Sequence, residues 1–215
     1  MTAITSAPVR RRMSRADRAS QLLEVAERLI ATHGVLATSM DDVADAAGVT
    51  KPIVYDHFGS KDGLLCALIA RAGSELYEHT NTAVADAGTP LEALERGIRA
   101  YFETLDRRDG VWWALLDATA AVSPATLAEL DQIRARQSGF ITDLIAVEFG
   151  DDRARASIYA QAVVGACERL AAARAEHPRR LTVDAVTRHL VELLWCGFEA
   201  LQAGERASAG TPAPS

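Results

Sequence analysis

The chain has 215 residues, 49% apolar and 6% aromatic, with a net charge of −6. That length accommodates one compact domain plus a small one, and the composition fits a soluble globular protein rather than a disordered or fibrous one. No uninterrupted apolar run approaches the ~18 residues of a membrane span, and no hydrophobic segment follows the N-terminal arginines, so a cytoplasmic protein without a signal peptide is expected.

Residues 1–13 read as a disordered basic arm. Arg10, Arg11, Arg12, Arg15 and Arg18 face only Asp17, and residues 1–61 carry eight Lys/Arg against seven Asp/Glu, close to +1. The acidity therefore sits in the remainder, about −7. A basic arm suits contact with a phosphate backbone, while an acidic body limits non-specific adhesion.

A first helix is expected from about Arg15 to Thr32, burying Leu22, Val25, Ala26, Leu29 and Ile30 and ending at His33-Gly34. Residues 38–61, TSMDDVADAAGVTKPIVYDHFGSK, then carry the strongest signal. Ser39 can cap a short helix with Asp42 returning the bond, and Met40, Val43, Ala44 and Ala47 form its apolar stripe. Gly48 stops it, because glycine enters the left-handed region without steric cost. Thr50 can cap a second short helix with Pro52 in its first turn. Val54 and Phe58 anchor that helix and leave Lys51, Ile53, Tyr55 and His57 outward. Two short helices joined this tightly form a helix-turn-helix, whose second helix reads the DNA major groove. A purely structural helical hairpin is the weaker alternative.

Across about residues 18–66 the order, spacing and residue types resemble the TetR family of bacterial transcriptional regulators. The TS…D-x-A-x-A-A-G-V turn and Y-x-H-F-x-S-K carry the likeness. Downstream it is architectural, through length, helicity and a W-x-G-F segment at Trp195 to Phe198. The resemblance implies that Thr50 and Lys51 touch bases or nearby phosphates, and that Tyr55, His57, Lys61 and Ser39 hold phosphates. With Pro52 these make the DNA-binding set. Asp41 and Asp56, acidic beside the expected DNA backbone, and Ile53, in place of a small hydroxyl residue, depart from the pattern.

Ser60 can cap a fourth helix running through Leu64, Leu65, Leu68, Ile69 and Leu76 toward Ala87, roughly 40 Å long and the natural link to the body. Gly88-Thr89-Pro90 breaks it. Further helices are expected at about 90–107, 110–120, 124–149, 152–176 and 182–203, giving an all-α chain of about nine. The domains read as 14–60 for DNA binding, 61–203 for effector binding and dimerisation, and 204–215 as a disordered tail.

The 156–175 stretch is rich in small residues, and 186–201 presents Val186, Leu190, Leu193, Leu194, Phe198 and Leu201 along one stripe. Both could simply pack on their own domain. The resemblance implies a four-helix bundle with a second copy, and one short recognition helix reads too few bases alone. The expected homodimer interface is Val164, Leu190, Leu194, Phe198 and Leu201.

Aromatics concentrate in Tyr101, Phe102, Trp112, Trp113, Phe140 and Tyr159. With Leu116, Val163 and Cys167 they form the candidate lining of an effector pocket, and Gln137, Gln161, Glu168 and Asp117 supply candidate polar groups. The expected effector is a small apolar or amphipathic molecule. Three unpaired cysteines (Cys66, Cys167, Cys196) read as buried small hydrophobes, and the histidines lack metal-ligand spacing, so no metal and no cofactor are expected.

The expected function is a homodimeric repressor released from a palindromic operator by that effector. An activator or a protein-gated regulator of the same fold is the nearest alternative. An enzyme is disfavoured, since the sequence offers no phosphate loop, metal motif or nucleophile elbow.

Overall fold

In a computed structural model, which describes residues 13–107, 123–148 and 152–209, eight helices and no strands are present among those residues. They are α1 (Arg15–His33), α2 (Met40–Ala47), α3 (Lys51–Phe58), α4 (Lys61–Ala85), α5 (Pro90–Asp106), α6 (Pro124–Glu148), α7 (Arg153–Glu176) and α8 (Val183–Ala209). The helix expected at 110–120 lies outside the described residues.

Helices α1–α3 form one small unit. Leu22, Ala26 and Ile30 of α1 are buried with Val43 and Ala44 of α2 and Val54 of α3, so the helical spacing of each short element converges on a single core. The ion pair between Arg71 and Glu27, 2.6 Å and four-fifths buried on both sides, ties α4 back to α1. Ser60 caps α4 by accepting from the Gly63 amide at 3.1 Å, so the long helix starts directly after the recognition unit.

Below it, α4 packs against α5 and α6. Gly73 makes the α4–α6 approach possible: a Cβ there would lie 2.4 Å from the Ile133 Cδ1. Helix α7 packs on α6, and α8 on α5. Arg174, 7% exposed, fastens the far end of the body. Its guanidinium bonds both carboxylate oxygens of Asp106, at 2.6 and 2.8 Å, and the Leu181 carbonyl at 2.7 Å. One side chain thereby joins α5, α7 and the loop entering α8.

Two expectations need correction. Helix α8 continues to Ala209 instead of giving way to a tail at 204, because Gly204 costs a helix only about 1 kcal/mol and no proline intervenes before Pro212. Cys167 is buried as expected, but Cys66 is half-buried and Cys196 exposed. None of the described helices is long and apolar enough to cross a membrane.

Candidate DNA-binding surface and effector cavity

The α2–α3 turn follows from local chemistry. Asp42 donates its amide to Ser39 Oγ at 3.1 Å, and the Ser39 amide donates to Asp42 Oδ2 at 2.8 Å, which completes the capping box. Those bonds from Ser39 hold the Asp42 carboxyl below its ordinary range. Gly48, at φ 66° and ψ 36°, returns its amide to Ala44 and Asp45 carbonyls. Thr50 occupies the cap position of α3 with extended backbone, yet its side chain makes no capping bond, so Pro52 and the packing of Val54 start that helix.

The outer face of α3 presents Lys51, Pro52, Ile53 and Tyr55 to solvent, with His57 half-buried beside Phe58. Lys51 Nζ lies 2.8 Å from Asp41 Oδ1 and 5.7 Å from the centre of the Tyr55 ring. The hydrogen bond to Asp41 raises the Lys51 pKa. Asp56 receives Arg15 at 2.6 Å. Lys61 Nζ donates to the Leu36 carbonyl at 3.1 Å, tying the start of α4 to the loop before α2. Neither partner of Lys51 or Arg15 is readable from spacing alone, since both pairs bridge separate helices.

In the body, a cavity of about 490 Å³ lies among α4, α5, α6, α7 and α8. Its wall is mainly apolar, with Val84, Leu94, Ile98, Ile141 and Trp195 joining four of the expected residues, Tyr101, Phe140, Val163 and Cys167. Few polar groups interrupt it. Gln137, 8% exposed, donates from Nε2 to Thr80 Oγ1 at 3.2 Å, and Tyr101 is part of the same lining. Burial pushes the Tyr101 phenol up and the Cys167 thiol up to about 12. Both groups are therefore neutral at physiological pH.

Several assignments move. Phe102 is fully buried beneath the Arg174 guanidinium, 5.6 Å from its ring centre, and does not line the cavity. Adjacent helical residues diverge by about 100°, so Tyr101 and Phe102 cannot share one face. Tyr159 instead stacks edge-on with Phe198 at 5.8 Å and accepts from Arg155 Nε at 2.7 Å. Gln161 is exposed, and Glu168 pairs with Arg134 at 2.8 Å. Trp112, Trp113, Leu116 and Asp117 lie outside the described residues. Among the expected interface residues, Val164 and Phe198 line the cavity, Leu190 is buried in the protomer's own core, and Leu194 is half-buried against that core. Only Leu201 of that set is exposed, at 37%. The larger exposed apolar side chains on α7 and α8 are Ile158, 68%, and Leu193, 72%.

A three-helix unit with an outward recognition helix, joined by one long helix to a hollow helical body, defines a helix-turn-helix transcriptional regulator. Residues 22–68 match the family model described as bacterial regulatory proteins, tetR family, and residues 90–197 the one described as tetracyclin repressor-like, C-terminal domain. The chain belongs to the TetR family. It is 25% identical over 187 residues to the HTH-type transcriptional activator FasR of Mycolicibacterium smegmatis, covering 87% of this chain and 85% of that protein. It is 33% identical over 90 residues to the HTH-type transcriptional repressor KstR2 of Mycobacterium tuberculosis, 42% of this chain and 45% of that one. A TetR-like transcriptional regulator from Rhodococcus sp. RHA1 superposes with a TM-score of 0.69 at 29% identity, covering 87% of this chain and 99% of the other. FadR from Bacillus subtilis, solved with stearoyl-CoA, shares the fold at a TM-score of 0.70 and 17% identity, over 81% and 96% of the two chains.

Proposed function

We propose that the chain is a homodimeric repressor that leaves a palindromic operator when a small apolar or amphipathic molecule fills the cavity. The observation that carries this reading is the reach of α4. Its last turns supply Thr80 and Val84 to the cavity wall, and its first turn, at Gly63, packs directly on the Phe58 carbonyl at the end of α3. A ligand that shifts the far end of α4 therefore shifts the recognition helix. Reversing a mostly bound population takes about 5.5 kcal/mol of differential affinity, which substantial apolar burial in such a cavity can supply.

Residues 14–60 serve as the DNA-binding domain, with Ser39, Thr50, Lys51, Pro52, Tyr55, His57 and Lys61 at the duplex. The body, 61–203, binds the effector and dimerises. Exposed Ile158 and Leu193 give α7 and α8 an apolar face that a second copy would cover. Two recognition helices about 34–36 Å apart then match successive major grooves. Tyr101 and Gln137, polar residues of the cavity lining, would orient a polar end of the effector. Activation is the second reading, favoured by the name of FasR, the relative aligned over most of this chain.

Selection of bound duplexes from a randomised pool tests the proposal. A palindrome with half-sites one helical turn apart is expected. Recovery of no preferred sequence would sink it, and the footprint relative to the promoter separates repression from activation.

A further inference from the structure

Resting on the reading of α3 as the recognition helix, we infer that Asp41 and Asp56 are built-in competitors of the DNA backbone. Each occupies a cation of the DNA-facing surface, which weakens binding to non-cognate duplex and so raises discrimination. Lys51 Nζ lies within 2.8 Å of one Asp41 carboxylate oxygen and 2.9 Å of the other. Arg15 is gripped twice by one residue, Nη1 on Asp56 Oδ2 at 2.6 Å and Nη2 on the Asp56 carbonyl at 2.8 Å. Helix α3 contributes one member of each pair.

Local helix stability does not account for the second acid. Asp56 lies in the C-terminal half of α3, where the helix dipole disfavours a carboxylate. Lys51, at the first position of α3, carries a positive charge where the dipole disfavours one, and Asp41 offsets it. The four side chains are 54–68% exposed, so a duplex can reach them and neither pair is strong. A phosphate on arbitrary DNA must therefore share Lys51 with Asp41, and little net counterion release results. A correctly placed base edge offers a directional acceptor, such as the O6 and N7 of guanine, that draws the lysine away from the carboxylate. The competitor thus penalises wrong sequences more than right ones.

The test uses the full chain, a random-sequence duplex and the duplex recovered by selection, with binding measured by fluorescence anisotropy from 50 to 200 mM NaCl. D41N is expected to bind the random duplex about two- to fivefold tighter than wild type, the range an exposed pair commands. Its dependence on salt should steepen by about one unit per recognition helix as Lys51 is freed to displace a counterion. The ratio of selected to random affinity should fall. D56N should act in the same direction through Arg15, which guards against an effect of D41N on α2 alone. If both variants leave random-duplex affinity and salt slope unchanged, the inference is overturned. It is equally overturned if D41N weakens only the selected duplex, because Asp41 would then position Lys51 rather than restrain it. K51A discriminates the two levels: full affinity for both duplexes would remove the recognition-helix reading itself, and this inference with it.

Discussion

Gly63 sits under the carbonyl of Phe58, so close that a Cβ on residue 63 would lie 2.0 Å from that oxygen. The atom it would meet is backbone, so the end of α3 and the start of α4 would have to separate. Gly63→Ala is expected to lose about 1–3 kcal/mol of stability through overpacking. It should also weaken operator binding at temperatures where the protein remains folded, because α3 is displaced. Thermal unfolding and anisotropy on one preparation check both parts, and unchanged values would show that the junction does not couple the two helices.

Tyr55 is 41% exposed on the outer face of α3, with Lys51 near its ring. Tyr55→Phe removes one hydroxyl and leaves the packing intact. If that hydroxyl holds a phosphate, affinity should fall on selected and random duplexes alike. A loss confined to the selected duplex would make Tyr55 a reader of bases instead.

Leu193→Asp is expected to give a folded monomer, since Leu193 is 72% exposed and contributes little to the protomer's own core. A second copy would bury the new carboxylate without a partner. Sedimentation at micromolar concentration decides it, and a stable dimer would put the interface elsewhere. Phe198→Asp, by contrast, should disturb the cavity, because Phe198 lines it and stacks on Tyr159.

That contrast marks where the sequence stops being readable. The capping box at Ser39 and Asp42, the left-handed Gly48 and the anchor Val54 depend on neighbours within four residues, so spacing reveals them. The rotational phase of α7 and α8 does not. Both helices carry apolar or small residues on more than one face, so periodicity cannot say which face meets the cavity and which meets solvent. Val164, Phe198 and Leu190, which the family resemblance assigns to an interface, point inward in the fold. Pairing across helices, as between Arg15 and Asp56, 41 residues apart, leaves no local trace either.

Burial raises the Cys167 thiol to about 12 against an ordinary 9.0, and burial also raises the Tyr101 phenol. Groups raised in the folded state contribute stability in full below the unfolded pKa and lose it as pH rises toward the folded one. Stability should therefore decline above about pH 9, and Cys167→Ala should flatten part of that decline while lowering stability at neutral pH. At pH 8 a thiol reagent should react with Cys167 only on unfolding. Rapid native labelling at Cys167 would contradict a buried, protonated thiol.

Val163 is 4% exposed and lines the cavity from α7, facing a space of about 490 Å³. Val163→Phe places a ring in that space, standing in for a bound apolar effector. If occupancy of the cavity drives α4 away from its DNA-binding position, this variant should bind the selected duplex weakly without any effector. It should also lose binding of apolar fluorescent probes, which the probes' own emission would report. The ring enters existing space, so the unfolding temperature should hold or rise, whereas a forced fit would lower it. That measurement separates a switch from a misfolded core. A stable variant that fills the cavity, excludes probes and still binds operator as wild type does would show that the cavity does not control DNA release.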